Sequence, residues 1–282
     1  MDFDFKLERT QEKIQDWYQH WDGQVYIAFS GGKDSTVLLD IVRNIYPDVP
    51  AVFCDTGLEY PEIRNFVKKF DNVEWIKPKI PFSEVIKKYG YPVISKDVSQ
   101  KLNEIVNTNS DMLRDKRLNG DSNGNGKMPK KWRYLIDAPF KISHKCCDVM
   151  KKRPSIKYEK ETNRKAFTGL MSGESTLRSH SYKKYGCNAF GLSRPQSRPL
   201  MPWSELDIYQ YIDEYNIDIS EIYSMGYKRT GCMFCMFGSH LGNDNRFELM
   251  EKTHKKQYDY CMDKLGLRDV LTFINGEARM PN

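Results

Sequence analysis

Gln24-Val25-Tyr26-Ile27-Ala28-Phe29-Ser30-Gly31-Gly32-Lys33-Asp34-Ser35 is the stretch on which the fold turns. Its first six residues, Gln24–Phe29, form a short β-prone run. From Asp34 to Ile45 the apolar spacing is that of an amphipathic helix, which stops before Pro47. The six residues Ser30 to Ser35 lie between strand and helix. Glycines let a backbone approach an anion closely, several N–H groups then converge on it, and the helix that follows adds the positive end of its dipole. Lys33 offers a cation, and Ser30 and Ser35 offer hydroxyl donors. A side chain at Gly32 would fill the space a phosphate needs. Asp34 would repel an inward-facing phosphate and is better placed capping the helix or holding a metal ion. An ordinary Gly-containing βα turn is the competing reading, and the strand–loop–helix context argues against it. The spacing is not that of Gly-x-x-x-x-Gly-Lys-Ser/Thr, so a Walker-type nucleotidase is not indicated.

Outward from this loop, strands and helices alternate. Residues 6–20 are expected to be helical, with Leu7, Ile14, Trp17 and Tyr18 near one face and Gly23 as the stop. Ala51–Cys54 and Val73–Ile76 read as strands, Tyr60–Phe70 and Phe82–Tyr89 as helices, and Ala166–Gly169 as a further strand. Such alternation predicts a doubly wound parallel α/β sheet with crossover helices. Ser204–Tyr215 reads as a helix with Ser204 as N-cap and Asp207 three residues on, and Arg246–Leu265 as one long charged helix. The organisation expected is an N-terminal helix over 1–22, a nucleotide-binding α/β domain over 23–222, and a smaller C-terminal region over 223–282. Residues 118–131 lack apolar periodicity and are expected to form a mobile loop. It closes on Lys130-Lys131-Trp132-Arg133-Tyr134, either a solvated loop or a lid that binds an acceptor.

Composition narrows the class. A chain of 282 residues is long enough for one α/β domain and a smaller appended region, and 39% apolar residues suffice for a core. The net charge of +6 fits an anionic partner such as a nucleotide or nucleic acid without requiring one. The opening Met1-Asp2-Phe3-Asp4-Phe5-Lys6 has acids where an export signal needs bases, and no run of about 18 apolar residues follows anywhere. The expectation is a cytoplasmic protein without a membrane span. In such a setting seven cysteines, clustered, read as metal ligands or redox groups.

Cys146 and Cys147 are adjacent, and Cys232 and Cys235 form a Cys-x-x-Cys much later. Two separated thiol pairs suggest one four-thiolate site. Zinc is the first alternative. Zinc ribbons, however, use paired Cys-x-x-Cys knuckles, whereas adjacent side chains diverge and suit separate corners of a [4Fe–4S] cubane. Buried apolar thiols or a regulatory disulfide remain as the plain reading. Lys145, Lys151, Lys152 and Arg153 flank the first pair and could offset thiolate charge or meet phosphates. Cys54, Cys187 and Cys261 read as packing residues.

Several of these strings resemble those of a known family. Ser-Gly-Gly-Lys-Asp-Ser resembles the PP-loop of ATP pyrophosphatases, which cleave ATP between the α and β phosphates and adenylate a substrate. Asp55-Thr56-Gly57 resembles the Asp-Thr-Gly segment of the phosphoadenosine-phosphosulfate (PAPS) reductase family. There Asp55 would accept from a ribose hydroxyl or an adenine amino group. Gly169 with Glu174, Ser175 and Arg178 resembles that family's Gly-x-x-x-x-Glu-Ser-x-x-Arg element, with Arg178 as a phosphate or sulfate clamp. Arg198-Pro199-Leu200 with Trp203 and Asp207 resembles a further segment. The resemblance implies the adenine-nucleotide α-hydrolase fold. It implies nucleotide contacts at Ser30, Gly31, Gly32, Lys33, Asp34, Ser35, Asp55, Gly57, Gly169, Glu174 and Arg178, with catalytic duty at Lys33, Asp34 and Arg178.

The cysteine pattern is also that of cluster-containing adenylylsulfate (APS) reductases, which implies a [4Fe–4S] cluster on Cys146, Cys147, Cys232 and Cys235. Reductases, however, usually carry an altered loop and attack sulfur with a cysteine in a Glu-Cys-Gly-Leu-His tail. Here the loop is intact and no cysteine follows Cys261. The expectation is therefore ATP, Mg²⁺ and a sulfur acceptor, either a nucleic acid or a small molecule, as in DndC-like and cluster-dependent thiolation enzymes. APS or PAPS reduction, or a non-catalytic nucleotide-binding module with a structural metal, are the alternatives.

Overall fold

The structure, a computed structural model, describes residues 2–241 and 244–275. In chain order the elements are α1 (Phe3–His20), β1 (Val25–Ala28), α2 (Lys33–Ile45), β2 (Ala51–Cys54), α3 (Pro61–Val67), β3 (Val73–Ile76), α4 (Phe82–Tyr89), β4 (Val93–Ile94), α5 (Lys96–Asn107) and α6 (Asp111–Asn119). There follow α7 (Arg153–Thr162), β5 (Lys165–Thr168), α8 (Thr176–Tyr185), β6 (Asn188–Ala189), β7 (Gln196–Ser197), α9 (Glu205–Glu214), β8 (Met236–Phe237), α10 (Arg246–Thr253), α11 (Lys255–Asp259) and α12 (Leu267–Asn275). The chain divides into two compact units. One comprises residues 1–55, 59–77 and 154–230, the other 56–58, 78–153 and 231–282. The linear division expected from the sequence, with a single α/β domain over 23–222, differs from this. Residues 78–153 group with the C-terminal region.

The first unit is built on a six-stranded sheet of order β3-β2-β1-β5-β7-β6. The first five strands run parallel, and only β6 is antiparallel to its neighbour. The strand order reverses between β1 and β5, as a doubly wound sheet requires, and the carboxyl ends at such a reversal are where open α/β sheets bind ligands. Val25, Ile27, Phe53 and Phe167 are buried on these strands, and Val37, Leu38, Ile41 and Val42 form the core face of α2. Arg43, in the last turn of α2, donates to Val49 O, Asp71 O and Asn72 O, which ties the starts of β2 and β3 to the helix.

Ser204 caps α9 as expected. Its hydroxyl accepts from Asp207 N–H, and Asp207 returns a bond to Ser204 N–H at 2.6 Å. Asp207 also accepts from Lys6 Nζ at 2.7 Å, and Trp203 Nε1–H donates to Thr10 Oγ1 at 2.9 Å. The Arg-Pro-Leu…Trp…Asp segment thus fastens α9 to α1. Arg198, buried, donates to Ser181 Oγ and Gly186 O.

In the second unit β4 and β8 pair in parallel, with Val93 opposite Met236 and Ile94 opposite Phe237. Ser95 caps α5, while Ser99 Oγ donates to Val93 O at 2.6 Å and accepts from its N–H. Residues 120–128 fold back through Asp121, whose carboxylate accepts from the N–H groups of Asn123 and Asn125, and Met128 N–H donates to Arg117 O. Lys130–Asp137 is a 3₁₀ helix with Trp132 and Leu135 buried, so the tryptophan expected near a lid is a packing residue. The single helix expected over 246–265 is broken. His254 leaves helical geometry (φ −133°, ψ 53°), and its ring nitrogen meets Thr253 Oγ1 at 2.8 Å. Among the described residues no helix is long and apolar enough to cross a membrane.

Candidate functional site

The loop after β1 is set by local chemistry. Gly31 takes φ +73°, which disfavours any side chain, and a Cβ there would lie 2.7 Å from Val67 Cγ2 and 2.9 Å from Ile63 Cγ2 on α3. Ser35 Oγ donates to Gly32 O at 2.8 Å, accepts from Ser30 N–H at 3.2 Å and lies 3.0 Å from Ser30 Oγ. The serines therefore hold the loop's shape from within. Gly32 is the N-cap of α2 and has no side chain to satisfy the helix's first N–H groups. Lys33 N–H finds its partner in the Tyr223 hydroxyl at 2.8 Å. The space beyond Gly32 is also filled: a Cβ there would lie 2.6 Å from Thr230 Oγ1 and 3.3 Å from Tyr223 Oη. The sequence pointed to a phosphate at that position. The structure places two hydroxyls of the 223–230 segment there.

The loop after β5 comes close to the same helix end. A Cβ at Gly169 would lie 3.0 Å from Asp34 O and 3.2 Å from Ser35 N, so a side chain there would press on the backbone at the start of α2. Lys33 Nζ is buried, 3.0 Å from Glu205 Oε1 and 3.7 Å from Asp34 Oδ1, above the rings of Tyr209 and Tyr223. Burial works against its charge, but Asp34, Glu205 and Tyr223 outweigh burial, and Lys33 titrates above the ordinary lysine range. Burial raises the Asp34 carboxyl, with Lys33 and Arg229 pulling the other way. Its Oδ1 is buried without a hydrogen bond.

Glu174 accepts from Met171 N–H at 3.0 Å and pairs with Arg178, whose own N–H is capped by Ser175 Oγ. Burial, and the charge of Arg229, lower Arg178 from the usual guanidinium range. Asp55, buried at the end of β2, accepts from Arg64 Nη2 at 2.9 Å. The loop residues Ser30 to Ser35, Gly169, Glu174 and Arg178 thus belong with Asp55 to one unit, whereas Gly57 belongs to the other, where it takes φ +74° with open space at its Cβ. Sequence reading passed over Tyr223, Arg229, Thr230 and Glu205. The cluster Lys228-Arg229-Thr230 just before Cys232 was the one available signal.

The four cysteines singled out lie together in the second unit. Cys146 and Cys147 open the helical segment that passes through a π turn at Asp148–Lys152. Cys232 and Cys235 sit on a tight turn, with Cys235 N–H donating to Cys232 O at 3.1 Å, directly ahead of β8. The turn is anchored by Met233 N–H to Leu58 O and by Arg246 to Cys235 O. Opposite β8, Ile94 takes φ +61°, an uncommon conformation for a β-branched residue, while its carbonyl accepts from Gly238 N–H.

All four cysteines line one cavity, together with the apolar Leu58, Phe82, Met150 and Phe237 and the cation Lys151. Burial and the other three sulfurs push the Cys146 thiol far above its ordinary range, and burial pushes Cys235 up to about 11. Among the described residues no three His, Cys, Asp or Glu side chains form a ready single-ion site. That all four cysteines line the same small cavity establishes the clustering. Of the remaining cysteines, Cys261 is buried and pushed up to about 12 by burial, and Cys187 is raised by burial.

The family model for the phosphoadenosine phosphosulfate reductase domain matches residues 24–87 and 81–237. An uncharacterized protein of Methanocaldococcus jannaschii is 26% identical over 241 residues, which cover 82% of this chain and 47% of that protein. The chain therefore spans less than half the length of that relative. The adenosine 5'-phosphosulfate reductase of Bacillus anthracis is 23% identical over 230 residues, covering 81% of this chain and 83% of the enzyme. The U34-tRNA thiolase NcsA from Methanococcus maripaludis, solved with its [4Fe–4S] cluster, aligns with a TM-score of 0.40 and 15% identity over 99% of this chain and 84% of its own.

Proposed function

The chain belongs to the phosphoadenosine phosphosulfate reductase domain family, within the PP-loop adenine-nucleotide α-hydrolase superfamily, and from that premise we propose that it is an ATP-dependent enzyme of sulfur transfer. The observation that carries this reading is the intact Ser30–Ser35 loop at the sheet's reversal, with its glycines fixed by close packing. ATP binds there with Mg²⁺. An acceptor atom attacks the α-phosphorus, the bond to the α–β bridging oxygen breaks, and pyrophosphate leaves carrying the electron pair. Lys33 and Arg178 stabilise the charge that gathers on the departing group, and Mg²⁺, if bound there, would supply a hard cation to spread it. Asp34, whose carboxyl has an unsatisfied buried oxygen, is the residue suited to meet the metal. Asp55 and Glu174 shape the nucleotide side of the site, the first through Arg64 and the second through Arg178.

Cys146, Cys147, Cys232 and Cys235 would hold a [4Fe–4S] cluster. The donor set fits: four soft sulfur ligands, an apolar lining with no carboxylate, and one lysine against the excess negative charge. When bound, such a cluster supplies an iron centre able to hold sulfur or pass an electron. Zinc is the alternative for the same donors, and the adjacent pair Cys146-Cys147 suits it less well than two Cys-x-x-Cys knuckles would.

A second reading, APS or PAPS reduction, is favoured by the likeness to the Bacillus anthracis enzyme across most of both chains. The test is to incubate the anaerobically purified protein with Mg²⁺ and ATP, or with APS or PAPS plus thioredoxin, together with candidate acceptors. AMP and pyrophosphate from ATP with no sulfite from APS or PAPS supports the proposal. Sulfite that is lost with a Cys54, Cys187 or Cys261 to Ser variant refutes it in favour of the reductase.

A further inference from the structure

The cations around the Ser30–Ser35 loop differ in how far they are already committed. Lys33 is held between Glu205 and Asp34, and Arg178 is paired with Glu174. Arg229 is exposed and, among the described residues, makes no hydrogen bond or ion pair. Its position is nonetheless fixed by its neighbours. The next residue, Thr230, stands against Gly32, close enough that a Cβ on that glycine would lie 2.6 Å from Thr230 Oγ1. Six residues before Arg229, the Tyr223 hydroxyl accepts from Lys33 N–H at 2.8 Å and lies 3.4 Å from Thr230 Oγ1. The 223–230 segment is therefore keyed into the loop at both ends and carries Arg229 to its mouth. There the guanidinium acts on Asp34 and on Arg178. Lys33 and Arg178 are already met by Asp34, Glu205 and Glu174, whereas Arg229, among the described residues, has no carboxylate bonded to it, so an anion entering at the mouth meets a guanidinium whose donors are open.

We propose that Arg229 contacts the nucleotide's polyphosphate, clamping it together with Arg178 across the mouth of the Ser30–Ser35 loop, with Tyr223 holding the segment that presents it. The inference rests on the reading of that loop as a nucleotide-phosphate site. It explains why a basic residue on an otherwise surface-like segment is fastened so closely to a glycine loop. It also gives the site a cation whose donors are not spent on protein carboxylates before ligand arrives.

The test is equilibrium binding of ATP, ADP, AMP and adenosine to the parent and to Arg229→Gln, Arg229→Lys and Lys33→Ala. Losing one charge-assisted guanidinium contact should weaken ATP binding roughly tenfold or more. The loss should shrink through ADP to AMP and vanish for adenosine, and Arg229→Lys should recover part of it. Arg229→Gln that binds ATP like the parent, while Lys33→Ala does not, overturns the inference and leaves the loop reading intact. An equal loss for ATP and adenosine also overturns it, since that marks a structural role. A parent that binds adenosine as tightly as ATP removes the loop reading itself, and the inference with it.

Discussion

Replacing Gly31 by alanine tests whether the loop's glycine is set by packing as well as by backbone conformation. Its φ of +73° puts an alanine in the left-handed region, at a cost of roughly 1–2 kcal/mol. The added Cβ would also lie 2.7 Å from Val67 Cγ2 and 2.9 Å from Ile63 Cγ2. Both partners are branched, buried side chains on α3 with little freedom to withdraw, and overpacking of this kind costs about 1–3 kcal/mol. The sum, roughly 2–5 kcal/mol, is a large share of a typical total stability of about 5–15 kcal/mol. Gly57 provides a matched control. Its φ is +74° and a Cβ there meets open space, so Gly57→Ala should carry the conformational cost alone. The reduced freedom of the unfolded chain is the same in both variants and cancels. Urea unfolding followed by circular dichroism should show Gly31→Ala less stable than Gly57→Ala by about 1–3 kcal/mol. Equal stability of the two would refute the packing argument and leave the loop free to relax around a side chain.

Three further outcomes are expected. Protein purified without air should contain about four irons per chain, and Ser at Cys146, Cys147, Cys232 or Cys235 should each remove most of that iron; colourless protein with stoichiometric zinc would contradict this. Lys33→Ala should weaken ATP binding by roughly 1.5–3 kcal/mol, read by calorimetry, because it deletes a buried charge-assisted contact; binding unchanged from the parent would reduce the loop to a turn. For Asp207, burial opposes ionisation, but the bonds from Lys6 and Ser204 outweigh it and hold the carboxyl below its ordinary range. A depressed carboxyl stabilises the fold above its unfolded pKa of about 3.9 and loses that contribution as pH falls through the folded value. Asp207→Asn should therefore be less stable than the parent at neutral pH, with the gap closing in acid below about pH 3.9; a gap that is independent of pH would show that the charge contributes nothing.

The parts legible in the sequence were those whose physics is local. Apolar periodicity on α2, two glycines between a strand and a helix, and Ser204 three residues before Asp207 each act over one or two turns, and each was read close to its observed place. The four cysteines could be grouped because thiols of this kind have few other uses, although nothing in their spacing reveals that Ile94 and β8 hold the second pair in place. What escaped was long-range. Tyr223 and Thr230 meet Lys33 and Gly32 across some 190 positions of chain, and no pattern around residue 223 indicates where its hydroxyl goes. The two-residue strands β6 and β7 are too short to show alternation. The helix breaks at His254 with neither a glycine nor a proline there to signal it. The grouping of residues 78–153 with the C-terminal region follows from the pairing of β4 with β8, which joins segments far apart in the chain.

Competition between ATP and APS for the Ser30–Ser35 site is the most direct measurement of the central claim, since it needs no acceptor and no turnover. With Mg²⁺ present and the two nucleotides at equal concentration, the account predicts that ATP displaces APS and that Lys33→Ala removes the advantage. Lys33 and Arg178 should both gain from the additional phosphate charge of ATP, which APS does not have. If APS binds more tightly than ATP and keeps that preference in Lys33→Ala, the loop does not hold the pyrophosphate end of ATP, and the reductase reading takes its place.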